Sequence, residues 1–157
     1  MILVIVGLMY GFDRLIMAAD NLAELIDEEF IMQIGESSYE PKNARYFRYI
    51  SADQIDKLYS QSRIVICHAG VGTILTAREH RKPVIVMPRR KNLGEHLDDH
   101  QFEIANELIL SGNISVVNDF QSLKEAFLKL DKNTTIINEP NKNIIDSLKD
   151  YIKSLDG

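Results

Sequence analysis

The segment that decides the fold runs from Ile66 to Ala105 and reads ICHAGVGTILTAREHRKPVIVMPRRKNLGEHLDDHQFEIA. It opens with an apolar run and a turn containing two glycines, and a helical pattern then leads to a second apolar run. This order is typical of two parallel strands joined by a helix, because parallel neighbours in a sheet need a long crossover connection. A dense run of charged and polar side chains closes the segment.

The same alternation extends in both directions from this segment. Apolar runs that end at glycine, proline or polar residues predict strands at 2–6, 29–34, 44–50, 63–67, 83–87 and 114–117. Helical spacing predicts helices at 12–26, 51–60, 71–80, 98–110, 120–130 and 143–155. Ser51 and Gln54 have the spacing of a capping box. We therefore expect a single α/β domain over 1–157, a Rossmann-like, open and mostly parallel sheet with helices on both faces.

Composition excludes several classes of protein. Hydrophobic residues make up 45% of the 157 residues, which is too many for a disordered chain. The net charge of −5 argues against general nucleic-acid binding, and one cysteine cannot form an internal disulfide. The apolar start lacks the features of a signal peptide, and no apolar run approaches membrane-spanning length. These features predict a cytoplasmic protein.

The glycine turn, HAGVGT, is the first candidate binding site. Gly70 and Gly72 follow a predicted strand, where glycine lets the backbone approach a bulky anion closely. Thr73 adds a hydroxyl group, and the first free N–H groups of the next helix point to the same place, which favours phosphate. The turn is not a Walker A loop, because no Gly-Lys-Ser/Thr follows. A tight turn that needs glycine for geometry alone remains the alternative.

The polar run is the second candidate. Side chains able to hydrogen bond a ligand rich in hydroxyl groups are Glu95, His96, Asp98, Asp99, His100 and Gln101. His96 and His100 are four residues apart, so on a helix they share a face, which allows a metal site with nearby carboxylates. A solvated helix start, where the macrodipole favours acidic residues, is the other interpretation. Arg89 and Arg90 before it either neutralise a diphosphate or acidic partner or form an exposed basic loop.

The motifs HAG-x-GT, KP-x-IV-x-P and D-H-Q-x-E-x-A together resemble the donor-binding half of GT-B glycosyltransferases. The resemblance is strongest to the glycosyltransferase family 28 C-terminal domain and covers most of the chain. Within that family the chain resembles small separate subunits of split enzymes. One group is the PssE-type subunits of exopolysaccharide synthesis, which PRRKNLGEHLDDHQ resembles most. The other is the soluble catalytic subunit of the eukaryotic dolichol-linked UDP-GlcNAc transferase.

The resemblance implies roles for particular residues. It implies a diphosphate site of His68, Gly70, Val71, Gly72, Thr73, Arg89 and Arg90. It implies a donor-sugar site of Glu95, Asp98, Asp99, His100 and Gln101. It implies ribose and uracil contacts from Thr76, Tyr49 and Ile55. Two features depart from the family: Leu8 and Met9 replace a usual hydroxyl residue after Gly7, and Thr76 stands where many relatives carry a ribose-binding Glu.

The implied reaction is inverting transfer of a hexose or N-acetylhexosamine from a UDP-sugar to an acceptor, expected to be lipid-linked, in polysaccharide or glycan biosynthesis. One GT-B half needs a second, so the resemblance implies a membrane-anchored partner that recruits this chain to the cytoplasmic membrane face. The general base is expected on that partner, with His96 as the resident candidate. The UDP-sugar is a substrate, and no cofactor or metal is implied. Residues 143–155 are the expected docking helix.

Two other functions are compatible with the same residues. A non-catalytic nucleotide-sugar-binding or regulatory module would keep the glycine turn without catalysing transfer. A metal-dependent phosphatase or hydrolase would use the cluster from Glu95 to His100 and would lose activity with chelators.

Overall fold

The computed structural model describes residues 1–111 and 114–132, together with 149, 150 and 153. The strands are β1 (Ile2–Ile5), β2 (Phe30–Gln33), β3 (Arg45–Phe47), β4 (Ile64–His68), β5 (Val84–Met87) and β6 (Ser115–Val116). The α-helices are α1 (Asp13–Leu25), α2 (Ala52–Gln61), α3 (Val71–Glu79), α4 (His100–Ser111) and α5 (Phe120–Lys132). A short 3-10 helix, Lys91–Leu93, lies between β5 and α4. The predicted helix at 143–155 lies outside the described residues.

The six strands form one parallel sheet in the order β3-β2-β1-β4-β5-β6. The chain first moves outward from β1 to β3 and then returns to the other side of β1 at β4. The carboxyl ends of β1 and β4 therefore flank the point where the strand order reverses, which is where open α/β sheets bind ligands. The predicted Rossmann-like fold is confirmed.

Alternating side chains of the central strands fill two apolar cores, one on each face of the sheet. On one face, Ile2 and Val4 pack with residues of α1 and α5. On the other, Leu3 and Ile5 pack with residues of α2, α3 and α4. All four side chains are buried, as expected for a strand covered by helices on both faces. This rigid sheet fixes the positions of the loops at its carboxyl edge.

Element boundaries follow local hydrogen bonding. The capping box at α2 is confirmed, since Ser51 accepts from the Gln54 backbone and the Gln54 side chain accepts from the Ser51 backbone. Helix α4 begins at His100, two residues later than predicted. Asp98 accepts the backbone N–H of His100 at 2.9 Å, and such local bonds favour helix ends over interiors. In the part of the chain that the structure describes, no helix is both long and apolar enough to cross a membrane.

Candidate functional site

The glycine turn joins β4 to α3 at the carboxyl edge of the sheet. Helix α3 begins at Val71 with Gly70 at the N-cap position, and no described side chain caps this end. The first N–H groups of the helix are therefore available to an outside acceptor, and the helix dipole favours an anion there. The predicted strand, turn and helix around the phosphate-like site are all present.

The two glycines of the turn meet different surroundings. A Cβ atom added to Gly70 would lie 2.1 Å from Cε1 of the His68 ring, far inside any allowed contact. A Cβ atom added to Gly72 would meet no described atom within 4 Å apart from its chain neighbours and the backbone of its own helix. Gly70 is therefore required by the folded chain itself, because the imidazole occupies the space. Gly72 leaves open space outside the fold, where a ligand can approach the backbone.

His68 is the centre of a hydrogen-bond network with buried Arg89, buried Gln101 and half-buried Thr73. We call these four residues the inner network. Its Nε2 atom lies 3.2 Å from the Thr73 hydroxyl oxygen. Its Nδ1 atom lies 2.9 Å from Nη1 of Arg89 and 3.2 Å from Nε2 of Gln101. The network joins the ends of β4 and β5 to the start of α4.

The Arg89 guanidinium is buried, and its position differs from both sequence expectations, an exposed loop and a direct diphosphate contact. Its Nη2 donates to the carbonyl oxygens of Val6 at 2.6 Å and Tyr10 at 2.8 Å. The guanidinium also lies over the Phe12 ring, 5.0 Å from its centroid. The physical reason is that the carbonyl groups after β1 need donors, and Arg89 supplies them from the neighbouring strand end. Arg89 thus ties the loop after β1 to the end of β5.

Burial lowers the pKa of both Arg89 and His68, which lie in contact in the inner network. It lowers the pKa of Arg89 to about 10, with opposing contributions from Glu95 and Tyr10, so the guanidinium stays charged at neutral pH. Burial, with the adjacent Arg89 charge and then His96, lowers the pKa of His68 to about 3. The imidazole is therefore neutral at pH 7.

Gln101 belongs to the inner network through both ends of its amide. Its Oε1 accepts the backbone N–H of Arg89 at 2.9 Å, and its Nε2 faces His68. Its side chain is 6% exposed. This placement differs from the expected sugar contact, because both polar ends already have partners inside the protein.

Glu95 and Arg90 hold the loop after β5 in place. The Glu95 carboxylate accepts from Nη2 of Arg14 at 2.9 Å and from the backbone N–H of Arg90 at 2.9 Å. The Arg90 guanidinium lies over the Phe102 ring, 5.2 Å from its centroid, and its buried Nε has no hydrogen-bond partner among the described residues. Glu95 therefore clamps this loop to α1, although the sequence suggested a sugar contact.

The remaining polar residues form a more accessible set, which we call the outer cluster: His96, Asp98, Asp99 and His100. Asp98 Oδ1 lies 3.2 Å from Nδ1 of His96, and Asp98 Oδ2 lies 3.5 Å from Nδ1 of His100. The backbone N–H of His100 and both histidines lower the pKa of Asp98. Asp99 and His100 are exposed, and the His96 ring packs against Tyr10 at 5.1 Å between centroids. In the described ranges, no group of three or more His, Cys, Asp or Glu residues is arranged to hold a metal ion.

The residues expected near ribose and uracil lie on one loop and two helices. Tyr49 follows β3 and is exposed, and its hydroxyl donates to Glu36 in the loop after β2. Ile55 lies in the first turn of α2, half-buried against the second core. The Thr76 hydroxyl donates to the Gly72 carbonyl at 2.9 Å, so its hydrogen is directed back to its own helix.

The sequence did not reveal a cleft of about 430 Å³ beside α1, which includes Arg14, Glu36 and Glu95 in its lining. Its walls come from the loops after β1, β2 and β5. Leu8 and Met9 in the loop after β1 are 74% and 79% exposed. Neither residue lines the cleft, whose walls come from positions far apart in the sequence, so no local pattern predicted it.

Comparison with known proteins finds a matching family model and similar sequences. The family model of the glycosyltransferase family 28 C-terminal domain matches residues 1–155. The mouse (Mus musculus) protein named UDP-N-acetylglucosamine transferase subunit ALG13 is 28% identical over 117 residues. That alignment covers 66% of this chain but only 10% of the mouse protein.

Solved structures share the fold at low sequence identity. A glycotransferase of kitacinnamycin matches with a TM-score of 0.62 and 16% identity, over 100% of this chain and 40% of that chain. The solution structure of ALG13 matches with a TM-score of 0.60 and 18% identity, over 94% of this chain and 92% of that chain. The same architecture thus occurs both as part of a larger chain and as a small separate one.

Proposed function

The chain belongs to the glycosyltransferase family 28 C-terminal domain family, and from that membership we propose that it binds the UDP-sugar donor of a two-part inverting glycosyltransferase. The observation that carries the proposal is the open glycine turn at the sheet's reversal point. It combines an uncapped helix start, a hydroxyl group at Thr73 and free space outside Gly72. A diphosphate needs this combination of backbone donors and close approach.

In this proposal the diphosphate lies against Val71, Gly72 and Thr73. Backbone N–H groups and the α3 dipole stabilise the negative charge that develops as UDP leaves. His68 and Arg89 support the turn from inside, because both ring nitrogens of His68 and both terminal nitrogens of Arg89 already bond to protein atoms. Arg90 lies closer to solvent and supplies positive charge at the rim.

The donor sugar then lies over the outer cluster. Asp99 and His100 are exposed and Asp98 is half-buried, so their carboxylates and imidazole can meet sugar hydroxyl groups. Glu95 and Gln101 fix the loop that carries them. Tyr49, Ile55 and Thr76 are proposed to border the nucleoside, with Thr76 turning its hydroxyl from Gly72 toward ribose. The name of the mouse relative favours N-acetylglucosamine among the possible sugars.

A second protein supplies the other half of the active site. We propose a membrane-anchored partner that binds a lipid-linked acceptor, carries the general base and recruits this chain to the cytoplasmic membrane face. His96 is the resident alternative for the base, since its ring is partly exposed and held by Asp98. The match to 40% of a glycotransferase chain supports a half-enzyme. The segment 143–155, which lies mostly outside the described residues, remains the proposed docking segment.

Calorimetric titration of the purified chain tests donor binding. We expect UDP to bind more tightly than UMP, in EDTA as well as in magnesium, because the glycine turn adds contacts to the second phosphate. A ranking of UDP-GlcNAc, UDP-Gal and UDP-Glc then identifies the sugar. Equal affinity for UDP and UMP would contradict a diphosphate at the turn, and loss of binding in EDTA would favour a metal-dependent site.

Reconstitution with the co-expressed anchored partner tests transfer itself. Sugar transfer to a lipid-linked acceptor by the pair, but by neither protein alone, supports the two-part enzyme. UDP binding without any transfer by the pair would support the non-catalytic nucleotide-sugar-binding module instead.

A further inference from the structure

The chemistry of the inner network determines which atom donates and which accepts in each of its hydrogen bonds. Because a backbone N–H can only donate, the Gln101 oxygen must face Arg89, and its NH₂ group must face His68. Arginine has no acceptor, so the Arg89 guanidinium also donates to His68. Two donors therefore converge on Nδ1 of His68, and this nitrogen must be the unprotonated one.

A neutral imidazole carries one hydrogen, which here must lie on Nε2. That N–H points to the Thr73 hydroxyl oxygen at 3.2 Å, so Thr73 accepts from His68. The Thr73 hydroxyl then keeps its own hydrogen for another acceptor. Buried Tyr59 also forms a side-chain hydrogen bond with Thr73. Each hydroxyl group can donate or accept, so Tyr59→Phe, described below, tests which of the two donates.

We propose that Arg89 and Gln101 are positioning residues that touch no ligand: they hold His68 as the Nε2–H tautomer, so that Thr73 donates its hydroxyl hydrogen to the bound phosphate. The opposite tautomer would reverse the effect, because Nε2 would then take the Thr73 hydrogen and the oxygen lone pairs would face the anion. This inference rests on the proposed function, since it assigns a direction to one contact of the proposed diphosphate site.

Nitrogen-15 NMR of the ligand-free chain, labelled in histidine, tests the tautomer without any ligand. We expect His68 to show a protonated Nε2, an unprotonated Nδ1 and no titration between about pH 5 and 8, the range of ordinary histidines. A protonated Nδ1, or titration inside that range, overturns the inference even where UDP binds. The expected tautomer in a chain that fails to bind UDP, alone and with its partner, overturns the proposed function instead.

A double-mutant cycle tests whether His68 affects UDP binding through the Thr73 hydroxyl or only by holding the glycine turn in shape. His68→Gln keeps an acceptor for Arg89 and a donor for Thr73 in one amide, whereas His68→Met keeps neither. We expect His68→Met to weaken UDP binding about tenfold or more, the size of a lost hydrogen bond to a charged group, and His68→Gln to restore most of it.

The same pair in a Thr73→Val background provides the decisive comparison. If His68 acts through the Thr73 hydroxyl, His68→Met and His68→Gln then bind UDP equally. An undiminished difference between them in that background overturns the inference. Uridine affinity is the folding control, because it lacks the phosphates and should be the same in all four variants. Tyr59→Phe should leave UDP affinity unchanged. A gain in affinity would mean that Thr73 donates its hydrogen to Tyr59 in the wild-type chain, and this result would also overturn the inference.

Discussion

Two polar regions lie side by side at the carboxyl edge of the sheet, and they are built in opposite ways. In the inner network, His68, Arg89 and Gln101 are 8%, 3% and 6% exposed and bond mainly to one another and to backbone. In the outer cluster, Asp99 and His100 are exposed, and the Asp98 contacts to the two histidines are 3.2 and 3.5 Å long. A buried polar group must be paired to be stable, whereas an exposed one stays available to a ligand.

The difference teaches how a donor site can be both rigid and receptive. The inner network fixes the glycine turn before any ligand arrives, so little reorganisation is needed when negative charge develops. The outer cluster keeps its hydrogen-bonding capacity for the part of the ligand that varies. Substitutions in the inner network should therefore change the stability of the fold, and substitutions in the outer cluster should change ligand selectivity.

Gly70→Ala should have the largest effect. The new methyl group would lie 2.1 Å from a His68 ring that is held by Thr73, Arg89 and Gln101. We expect a loss of at least about 3 kcal/mol in the free energy of unfolding, the upper range for overpacking a core. Urea denaturation followed by circular dichroism measures it. A loss below about 0.5 kcal/mol, as for an ordinary surface change, would contradict the rigid inner network.

Arg89→Met should come next. It leaves the carbonyl groups of Val6 and Tyr10 without their arginine donor. Each buried acceptor left unpaired costs about 1–3 kcal/mol, so we expect a loss of about 2 kcal/mol or more in the free energy of unfolding. Arg90→Met is the matched control, since the Arg90 side chain is half-buried and stacks on Phe102. Equal losses in the free energy of unfolding of Arg89→Met and Arg90→Met would contradict the claim that Arg89 stabilises the fold more than Arg90 does.

The buried neutral His68 should make stability fall on mild acidification. Its pKa is lowered from 6.5 to about 3, so below pH 6.5 the unfolded chain binds a proton that the folded chain excludes. The free energy of unfolding should then decrease by up to about 1.4 kcal/mol per pH unit as the pH falls through this window. Carboxylates with lowered pKa values, such as Glu28, change the free energy of unfolding near and below their ordinary pKa of 4.5. Their effect therefore falls at lower pH than that of His68.

Denaturation series between about pH 5 and 7 measure this slope, within the range where an ordinary histidine titrates. His68→Gln is the matched variant, and it should flatten the slope by the contribution of one histidine. An unchanged slope in that variant would show that His68 is not the buried neutral group.

These three effects also show which features a sequence can reveal. Apolar runs, the glycine turn and the capping box predicted the parallel sheet, because they depend on local periodicity and turn chemistry. Arg89 and Arg90 are neighbours of the same residue type, yet one lies under the loop after β1 and the other stacks at the rim. Arg89 is buried because its guanidinium donates to a carbonyl group that follows β1, about eighty residues earlier in the chain. Local pattern carries no such information, and the same holds for Gln101.

Asp99→Asn should have the smallest effect on stability and should act on selectivity. The amide oxygen can still accept the backbone N–H of Lys91, which now bonds Asp99 Oδ1 at 3.0 Å. We therefore expect the free energy of unfolding to change by less than about 0.5 kcal/mol. The preference for UDP-sugar over UDP should fall, because a charged acceptor for a sugar hydroxyl is lost. Calorimetry with both ligands measures the ratio, and an unchanged ratio would exclude Asp99 from the sugar site.

The most direct test of the central claim is the UDP affinity of Gly72→Ala. Apart from its chain neighbours and the backbone of its own helix, no described atom lies within 4 Å of the new methyl group, so the fold and the uridine affinity should be preserved. The methyl group would occupy the space where the diphosphate approaches the backbone. We predict that calorimetry finds UDP binding lost, or weakened about tenfold or more, the size of a lost hydrogen bond to a charged group. Wild-type UDP affinity in a folded Gly72→Ala chain would contradict a diphosphate site at the glycine turn.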